Sequence, residues 1–108
     1  MTMIDQPVAY RKLTLVCPAE VAERVVDILL EADVDMTGFT TFKADGHGHD
    51  FASASVGERV RGRVARRIVV AVLKADDVPT LLGDLQNQIN NPDLAYWTEP
   101  VLAYGHLS

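Results

Sequence analysis

Residues 68–75, with the sequence IVVAVLKA, decide the fold class because both sides of this strand-like stretch are apolar. Successive side chains of a strand point to opposite sides. One side therefore carries Ile68, Val70 and Val72, and the other carries Val69, Ala71 and Leu73. A strand with two apolar sides is expected to be buried on both. Two short helices can cover only one side of a small sheet, so we expect a second copy of the chain to cover the other.

Three further strands are predicted around this one. Residues 11–18 alternate polar and apolar side chains and end at a proline, which is typical of a strand. Residues 37–44 are rich in threonine and phenylalanine, which favour strands. Residues 94–105 are predicted as the last strand, interrupted or bulged at Pro100 because proline cannot donate to the ladder.

Two amphipathic helices separate these strands. Residues 18–33 carry apolar side chains at helical spacing, and Pro18 suits a first helical turn. Residues 77–90 show the same spacing, with Asp77 as the predicted N-cap and Pro79 in the first turn. The order β-α-β-β-α-β predicts an α+β, ferredoxin-like domain: a four-stranded antiparallel sheet with both helices on one face. We expect residues 1–108 to form this single domain, with residues 1–10 as an N-terminal tail.

Composition excludes several classes of protein. The formal net charge of −5 argues against a nucleic-acid binder. The single cysteine, Cys17, rules out an intrachain disulfide and fits a reducing compartment. No apolar run approaches the roughly 20 residues that a membrane helix needs, and the N-terminus lacks the apolar segment of a signal peptide. We therefore expect a cytoplasmic protein that is not embedded in a membrane.

Three segments of the chain form a recognisable set: LTLVCPAEVAERVVDILLEAD, VAVLKADDVPTLLGDL and YWTEPVLAYG. Together with the long connection between the second and third strands, they resemble the PII-like superfamily, which includes the nitrogen-signalling PII proteins and the CutA divalent-cation tolerance proteins. The chain is similar in particular to a short, uncharacterised branch linked to heavy-metal efflux. The resemblance implies a homotrimer whose sheets pack around a threefold axis. It also implies that residues 45–62 take the place of the T-loop, the mobile effector loop of PII proteins, above a nucleotide cleft between subunits.

The sequence departs from the PII pattern where PII proteins hold nucleotide phosphates. Their glycine- and lysine-containing loop is replaced by residues 90–97, NNPDLAYW, and the C-terminal YGHLS has no arginine. The resemblance therefore does not imply the usual mode of ATP binding. The cofactor stays open between a divalent metal ion and an adenine nucleotide.

Two histidines in the predicted loop form a candidate metal site. If the chain is locally extended, His47 and His49 project to the same side. Zinc usually takes about four ligands, so two histidines do not complete a site. Asp45 and Asp50 flank them, and His106, Cys17 or a neighbouring copy offer further ligands. The alternative is that these histidines are solvated loop residues.

A run of arginines follows in the same loop and forms a candidate anion site. If the third strand extends back without a bulge, four arginines line one of its sides: Arg59, Arg61, Arg63 and Arg67. In a trimer this side faces the central opening or the subunit cleft, where it attracts an anion. The alternative is that the arginines form salt bridges to Glu20, Glu23 or Asp27 of a neighbouring copy, or that they serve solubility alone. We predict as ligand-binding residues Gly46, Gly48, Arg59, Arg61 and Arg63.

No catalytic residue is predicted, because no nucleophile or acid–base arrangement is visible. Tyr96, Trp97 and Tyr104 are interpreted as core and trimer-interface residues. The leading hypothesis is a non-enzymatic trimeric sensor that binds a small ligand at the subunit cleft and signals through residues 45–62 to a membrane transporter. The alternative is a cytoplasmic heavy-metal binding or tolerance protein. A small ferredoxin-like enzyme ranks last.

Overall fold

The computed structural model describes residues 8–36, 38–47 and 64–107. A short 3-10 turn precedes each helix, at Ala19–Val21 and at Ala75–Asp77. The main elements follow the predicted order: β1 (Tyr10–Pro18), α1 (Ala22–Glu31), β2 (Thr40–Gly46), β3 (Val64–Lys74), α2 (Val78–Gln88) and β4 (Ala95–Val101).

The four strands form one antiparallel sheet in the order β2-β3-β1-β4. The two central strands pair from Tyr10 opposite Lys74 to Pro18 opposite Arg66. No pairing in the sheet slips its register. The two βαβ units are interleaved, since β1 and β3 lie side by side at the centre. This confirms the ferredoxin-like prediction.

Both helices pack on one side of the sheet, and the core lies between. The sheet contributes alternate residues of its two central strands: Leu13, Leu15 and Cys17 from β1, and Val69, Ala71 and Leu73 from β3. The helices contribute one stripe each: Ala22, Val25, Ile28 and Leu29 from α1, and Val78, Leu81 and Leu85 from α2. Fully burying one aliphatic side chain contributes about 1.5–3 kcal/mol, so this side of the sheet stabilises the subunit. We call it the helix side.

The helix starts differ from the prediction at two points. Pro18 has φ −57° and ψ 141°, so it ends β1 in an extended conformation, and α1 itself begins only at Ala22. Asp77 is the N-cap residue of α2, but its side chain makes no capping hydrogen bond, because it also closes the preceding 3-10 turn with ψ −15°. Pro79 lies in the first turn of α2 as predicted.

The two outer strands are shorter than predicted. β2 begins at Thr40, and the preceding Gly38 and Phe39 are not part of the strand. β4 ends at Val101, and Pro100 pairs with Arg11 in unbroken register, so the predicted bulge is wrong. As an edge strand, β4 needs ladder hydrogen bonds on one side only, and it therefore accommodates a proline.

The other side of the sheet, the open face, is apolar but only partly covered in one chain. It consists of Val16, Phe42, Ile68, Val70, Val72 and Trp97, which surround the buried Thr14. Phe42 and Trp97 are each 48% exposed. The two-sided apolar character predicted for β3 is confirmed. Tyr96, Trp97 and Tyr104 lie outside the core of the single chain, which corrects the core part of that interpretation.

Candidate functional site

The root of the β2–β3 connection lies at the end of the sheet where β1 also ends. Gly46, the last residue of β2, pairs with Val64, the first of β3, and Asp45 pairs with Ala65. Asp45 and Gly46, at the start of the predicted loop, therefore belong to the strand. Residues 48–63 lie outside the described residues. The predicted ligand-binding residues Gly48, Arg59, Arg61 and Arg63 fall there, as does His49, and they stay predictions.

Gly46 is tightly packed against its neighbours on β3. A Cβ atom at this position would lie 3.0 Å from both Cγ and Nε of Arg66, and 3.2 Å from Cγ2 of Val64. The side chain of Arg66 thus crosses directly over the glycine. This contact supplies a packing reason for glycine at position 46, independent of any ligand.

His47 is exposed and follows β2 directly. Within residues 8–36, 38–47 and 64–107, no group of three or more His, Cys, Asp and Glu side chains is arranged to hold a metal ion. His106 contacts the ring of Tyr104, and that ring packs at a tilted angle against Tyr10 at the start of β1. His106 therefore lies at the opposite end of the sheet from His47. In one chain, His106 cannot share an ion with His47.

Cys17 lies at the same end of the sheet as His47, but it points into the core. It is fully buried, and its thiol donates to the main-chain oxygen of Arg67 at 3.5 Å. Burial raises the pKa of this thiol above its usual value of 9.0, and the charges of Arg67 and Arg66 oppose the shift only in part. A buried, protonated thiol is a poor metal ligand and a poor nucleophile.

The arginines at the start of β3 divide between the two sides of the sheet. Arg67 shares the helix side with Val69, as the alternation predicts, and Arg66 lies on the open face with Ile68. The side of β3 that carries Arg67 therefore continues into the core. That the arginine side faces the central opening or the subunit cleft of a trimer stays a prediction.

A cleft of about 390 Å³ lies on the helix side at the β4 edge. The lining is mostly aliphatic, with side-chain amides and one phenol: Leu15, Leu82, Leu85, Gln86, Ile89, Asn90, Asn91, Pro92, Leu94 and Tyr96. None of these residues carries a formal charge. The sequence analysis did not find this cleft, since its residues come from three separate segments. The signal available was the set of amides at Gln86, Asn90 and Asn91.

The turn after α2 is held by local hydrogen bonds. The Oδ1 atom of Asn91 accepts from the main-chain N–H of Asp93 at 2.8 Å, and its main-chain oxygen accepts from Leu94 at 3.1 Å. The Arg24 guanidinium on α1 donates to the main-chain oxygen of Gln88 at 3.1 and 3.4 Å. These contacts give the rim of the cleft a defined shape.

The cleft and the β2–β3 connection lie at the same end of the sheet. β4 begins opposite Val16, and β3 begins near the end of β1. Three strand spacings separate the two edges, or about 14 Å. A ligand in the cleft and the root of the connection are therefore neighbours, although they do not overlap within the described residues.

The sequence pattern of the DUF3240 family, described as a protein of unknown function, matches residues 8–108. The chain belongs to the DUF3240 family. A DUF3240 family protein from Shewanella baltica OS155 superposes on this chain with a TM-score of 0.74 and 20% identity, covering 92% of this chain and 97% of its own. No match was found among proteins of curated function.

The DUF3240 fold is also that of PII proteins. CPII from Thiomonas intermedia K12, a nitrogen regulatory PII-like protein bound to ADP, AMP and bicarbonate, gives a TM-score of 0.67 at 18% identity, with coverage of 92% and 97%. The B. subtilis GlnK–ATP complex gives 0.63 at 15% identity, with coverage of 86% and 82%. The predicted relationship to the PII-like superfamily is confirmed at the level of fold.

This DUF3240 chain has no membrane-spanning candidate in its described part, since neither helix is long and apolar enough to cross a bilayer. Its cleft residues 89–94 occupy the connection between α2 and β4, where the PII resemblance places a phosphate-binding loop. Here that connection holds amides and a proline instead of glycine and lysine.

Proposed function

We propose that this DUF3240 chain is a non-enzymatic, PII-like regulator. A homotrimer binds a small ligand at the subunit cleft, and residues 45–62 pass the signal to a partner protein, a membrane transporter, at its cytoplasmic side. One arrangement carries the proposal: a neutral cleft and the root of a long β2–β3 connection lie at the same end of a PII-like sheet. A ligand bound there is placed to change the order of the connection.

The open face supports the homotrimer. Its residues form a contiguous apolar surface, and such surfaces on small proteins usually mark interfaces. At its β4 edge, the Trp97 indole N–H donates to the Glu99 carboxylate at 3.3 Å, and Lys12 pairs with the same carboxylate at 3.8 Å. These polar contacts hold Trp97 in place beside the apolar residues. A second and third copy with the same face would bury it.

The lining of the cleft suits a flat, uncharged ring as the part of the ligand that binds there. Aliphatic side chains provide the floor, and the amides of Gln86, Asn90 and Asn91 offer donors and acceptors. CPII is bound to ADP and AMP, which makes adenine nucleotides the first ligands to test. Because the lining carries no positive charge, we expect the base to be recognised in the cleft and the phosphates to contribute less than in a phosphate-binding loop.

A titration with matched variants tests the ligand. We expect ADP or AMP to bind the wild-type chain by calorimetry, and Asn90→Ala and Tyr96→Ala to weaken binding roughly tenfold, because each removes a cleft contact worth about 1–1.5 kcal/mol. Asn87→Ala is the control, since Asn87 is exposed on α2 and does not line the cleft. Equal affinities in all four proteins would place the nucleotide elsewhere.

Hydrogen exchange tests the signalling step. We expect nucleotide to slow exchange in residues 45–62 of the trimer, and Asn90→Ala to abolish that effect. If nucleotide binds without any change of exchange in residues 45–62, the chain is a nucleotide-binding protein and the proposed regulator function is rejected. A pull-down from membranes, with and without nucleotide, then tests whether a transporter binds the chain.

The alternative, a cytoplasmic divalent-cation binding or tolerance protein that uses His47 and His49, has less support. Among the described residues, nothing converges on His47 as a metal-holding group, and Cys17 points into the core. The alternative therefore depends on residues of the connection itself or on a neighbouring copy.

A further inference from the structure

The C-terminal end of α2 has no positive charge of its own. Residues 78–88, which form α2, include no lysine, arginine or histidine. The last carbonyl groups of a helix lack partners within the helix, and they form the negative end of its dipole. The Leu85 oxygen accepts from the Ile89 N–H at 2.8 Å. The carbonyls that follow at this end of α2 are left to solvent or to another element.

Arg24 on α1 supplies a positive charge to this end of α2. Its Nε and Nη2 atoms donate to the main-chain oxygen of Gln88, the last residue of α2, at 3.4 and 3.1 Å. A cation beside the last carbonyls of a helix satisfies an acceptor and complements the dipole. Because the two residues belong to different helices, the contact fixes the end of α2 relative to the start of α1.

Arg24 makes this contact in preference to contacts along its own helix. It is the third residue of α1, where the dipole of that helix disfavours a cation. Glu20 lies four residues before it and Asp27 three residues after it. Among the residues that the structure describes, no ion pair joins Arg24 to either acid. The guanidinium is therefore directed across to α2.

The oxygen that Arg24 holds lies immediately before the cleft rim. Gln88 ends α2, and the next three residues, Ile89, Asn90 and Asn91, line the cleft. Ile89 already has an extended backbone, with φ −130° and ψ 107°, so the chain changes direction directly after Gln88. The position of Gln88 therefore sets where the amides of Asn90 and Asn91 lie. Arg24 itself does not line the cleft.

We propose that Arg24 is a positioning residue for the cleft. From α1, it holds the end of α2 and rim residues 89–91 in the arrangement that receives a ligand. This inference rests on the proposed ligand-binding function, and it extends that function to a residue outside the lining. If the rim is in place for only a fraction of the time, the apparent affinity falls in proportion to that fraction.

Calorimetric titration with ADP and with adenosine tests this role. In Arg24→Met, we expect the dissociation constants for both ligands to rise roughly fivefold, because a hydrogen bond that holds the rim is lost. Arg24→Lys keeps a charged donor and should recover part of that loss. Arg11→Met is the matched control, since it removes the same charge from an exposed position at the far end of β1.

The comparison of the two ligands separates positioning from direct contact. Adenosine has no phosphate, so a residue that acts through the rim should affect it as much as it affects ADP. A rise in the dissociation constant for ADP alone would show that Arg24 contacts the phosphates, and it would overturn the positioning role. An equal rise in Arg24→Met and Arg11→Met would also overturn it.

A double variant tests whether Arg24 acts through the rim. We expect Arg24→Met to weaken binding less in an Asn90→Ala chain than in the wild type, since part of the contact that Arg24 positions is then missing. Losses that add fully in the double variant would contradict the proposal.

Hydrogen exchange without nucleotide makes the test independent of the proposed function. The amide hydrogens of Ile89, Asp93 and Leu94 are hydrogen-bonded in the turn after α2. In Arg24→Met they should exchange faster, while residues 25–29 in the core of α1 exchange as in the wild type. Unchanged exchange in the turn would overturn the proposal, whether or not the chain binds nucleotide. Faster exchange in a chain that binds neither ADP nor adenosine would confirm that Arg24 holds the rim and reject only the proposed ligand.

Discussion

Gly46 lies directly beneath the side chain of Arg66, so closely that a Cβ atom on the glycine would approach Arg66 Cγ and Nε to 3.0 Å. This contact packs the last residue of β2 against side chains at the start of β3. It places the start of the β2–β3 connection against an arginine of the open face.

A branched side chain at position 46 is expected to destabilise the chain. Gly46→Val must displace Arg66 and Val64, and overpacking of this kind costs about 1–3 kcal/mol. The loss is measured as a lower midpoint in urea. Gly83→Ala is the control, because nothing lies within 4 Å of a Cβ there. It should stabilise α2 by roughly 0.5–1 kcal/mol through helix propensity. A Gly46→Val variant as stable as the wild type would show that Arg66 moves freely.

The buried thiol is expected to make the folded chain less stable at high pH. Burial raises the pKa of Cys17 above 9.0, so the folded state keeps its proton where the unfolded state loses it. The corresponding stability is fully present below the unfolded pKa and is lost as pH rises through the folded pKa. The difference in free energy of unfolding between the wild type and Cys17→Ala should therefore shrink above about pH 9.

Thiol labelling gives an independent check on Cys17. At neutral pH, we expect the folded chain to react slowly with a thiol reagent and the urea-unfolded chain to react at once, since the sulfur is 0% exposed. Rapid labelling of the folded chain would contradict the placement of Cys17 in the core.

The open face is expected to hold the homotrimer together. Phe42→Glu places a charge on that face, where Phe42 is 48% exposed in one chain, so the subunit should still fold but remain monomeric. Light scattering after gel filtration measures the mass. Leu30→Glu is the control, since Leu30 is 70% exposed on α1 in the helix layer. A trimer that survives Phe42→Glu and dissociates with Leu30→Glu would place the interface on the helices.

The predicted metal site requires a specific pattern in calorimetric titrations with zinc, copper and cobalt. Binding must be present in the wild type and lost when His47→Ala and His49→Ala are combined, because both imidazoles are needed to chelate one ion. His106→Ala should bind as the wild type does, since His106 lies at the other end of the sheet. If the wild-type chain binds these ions no more tightly than millimolar, the predicted metal site is rejected.

Much of the fold could be predicted from periodicity. The alternation in residues 68–75 correctly assigned Val69, Ala71 and Leu73 to one side and Val70 and Val72 to the other. Helical spacing found the buried stripes of α1 and α2. These patterns are local, and burial of one side of each element is enough to produce them.

The site was predicted less well, for a physical reason. Sequence alternation placed Arg67 on the same side as Val69, but it could not tell that the helices cover this side. The cleft was missed because Leu15, Leu85 and Tyr96 come together only when α2 packs over β1 and β4. The ligating roles of Gly48, His49, Arg59, Arg61 and Arg63 stay predictions.

The sequence by itself determined the β-α-β-β-α-β order, the two-sided apolar strand and the PII-like resemblance, because each depends on residue type and spacing along a short stretch. Tertiary structure alone decided which residues meet across the sheet. Lys43 and Arg67 are 24 positions apart, and only the antiparallel register of β2 and β3 brings their charges together. The placement of Lys43 beside Arg67 and the close packing of Gly46 against Arg66 follow from that register, since long-range pairing is set by the burial of the whole sheet.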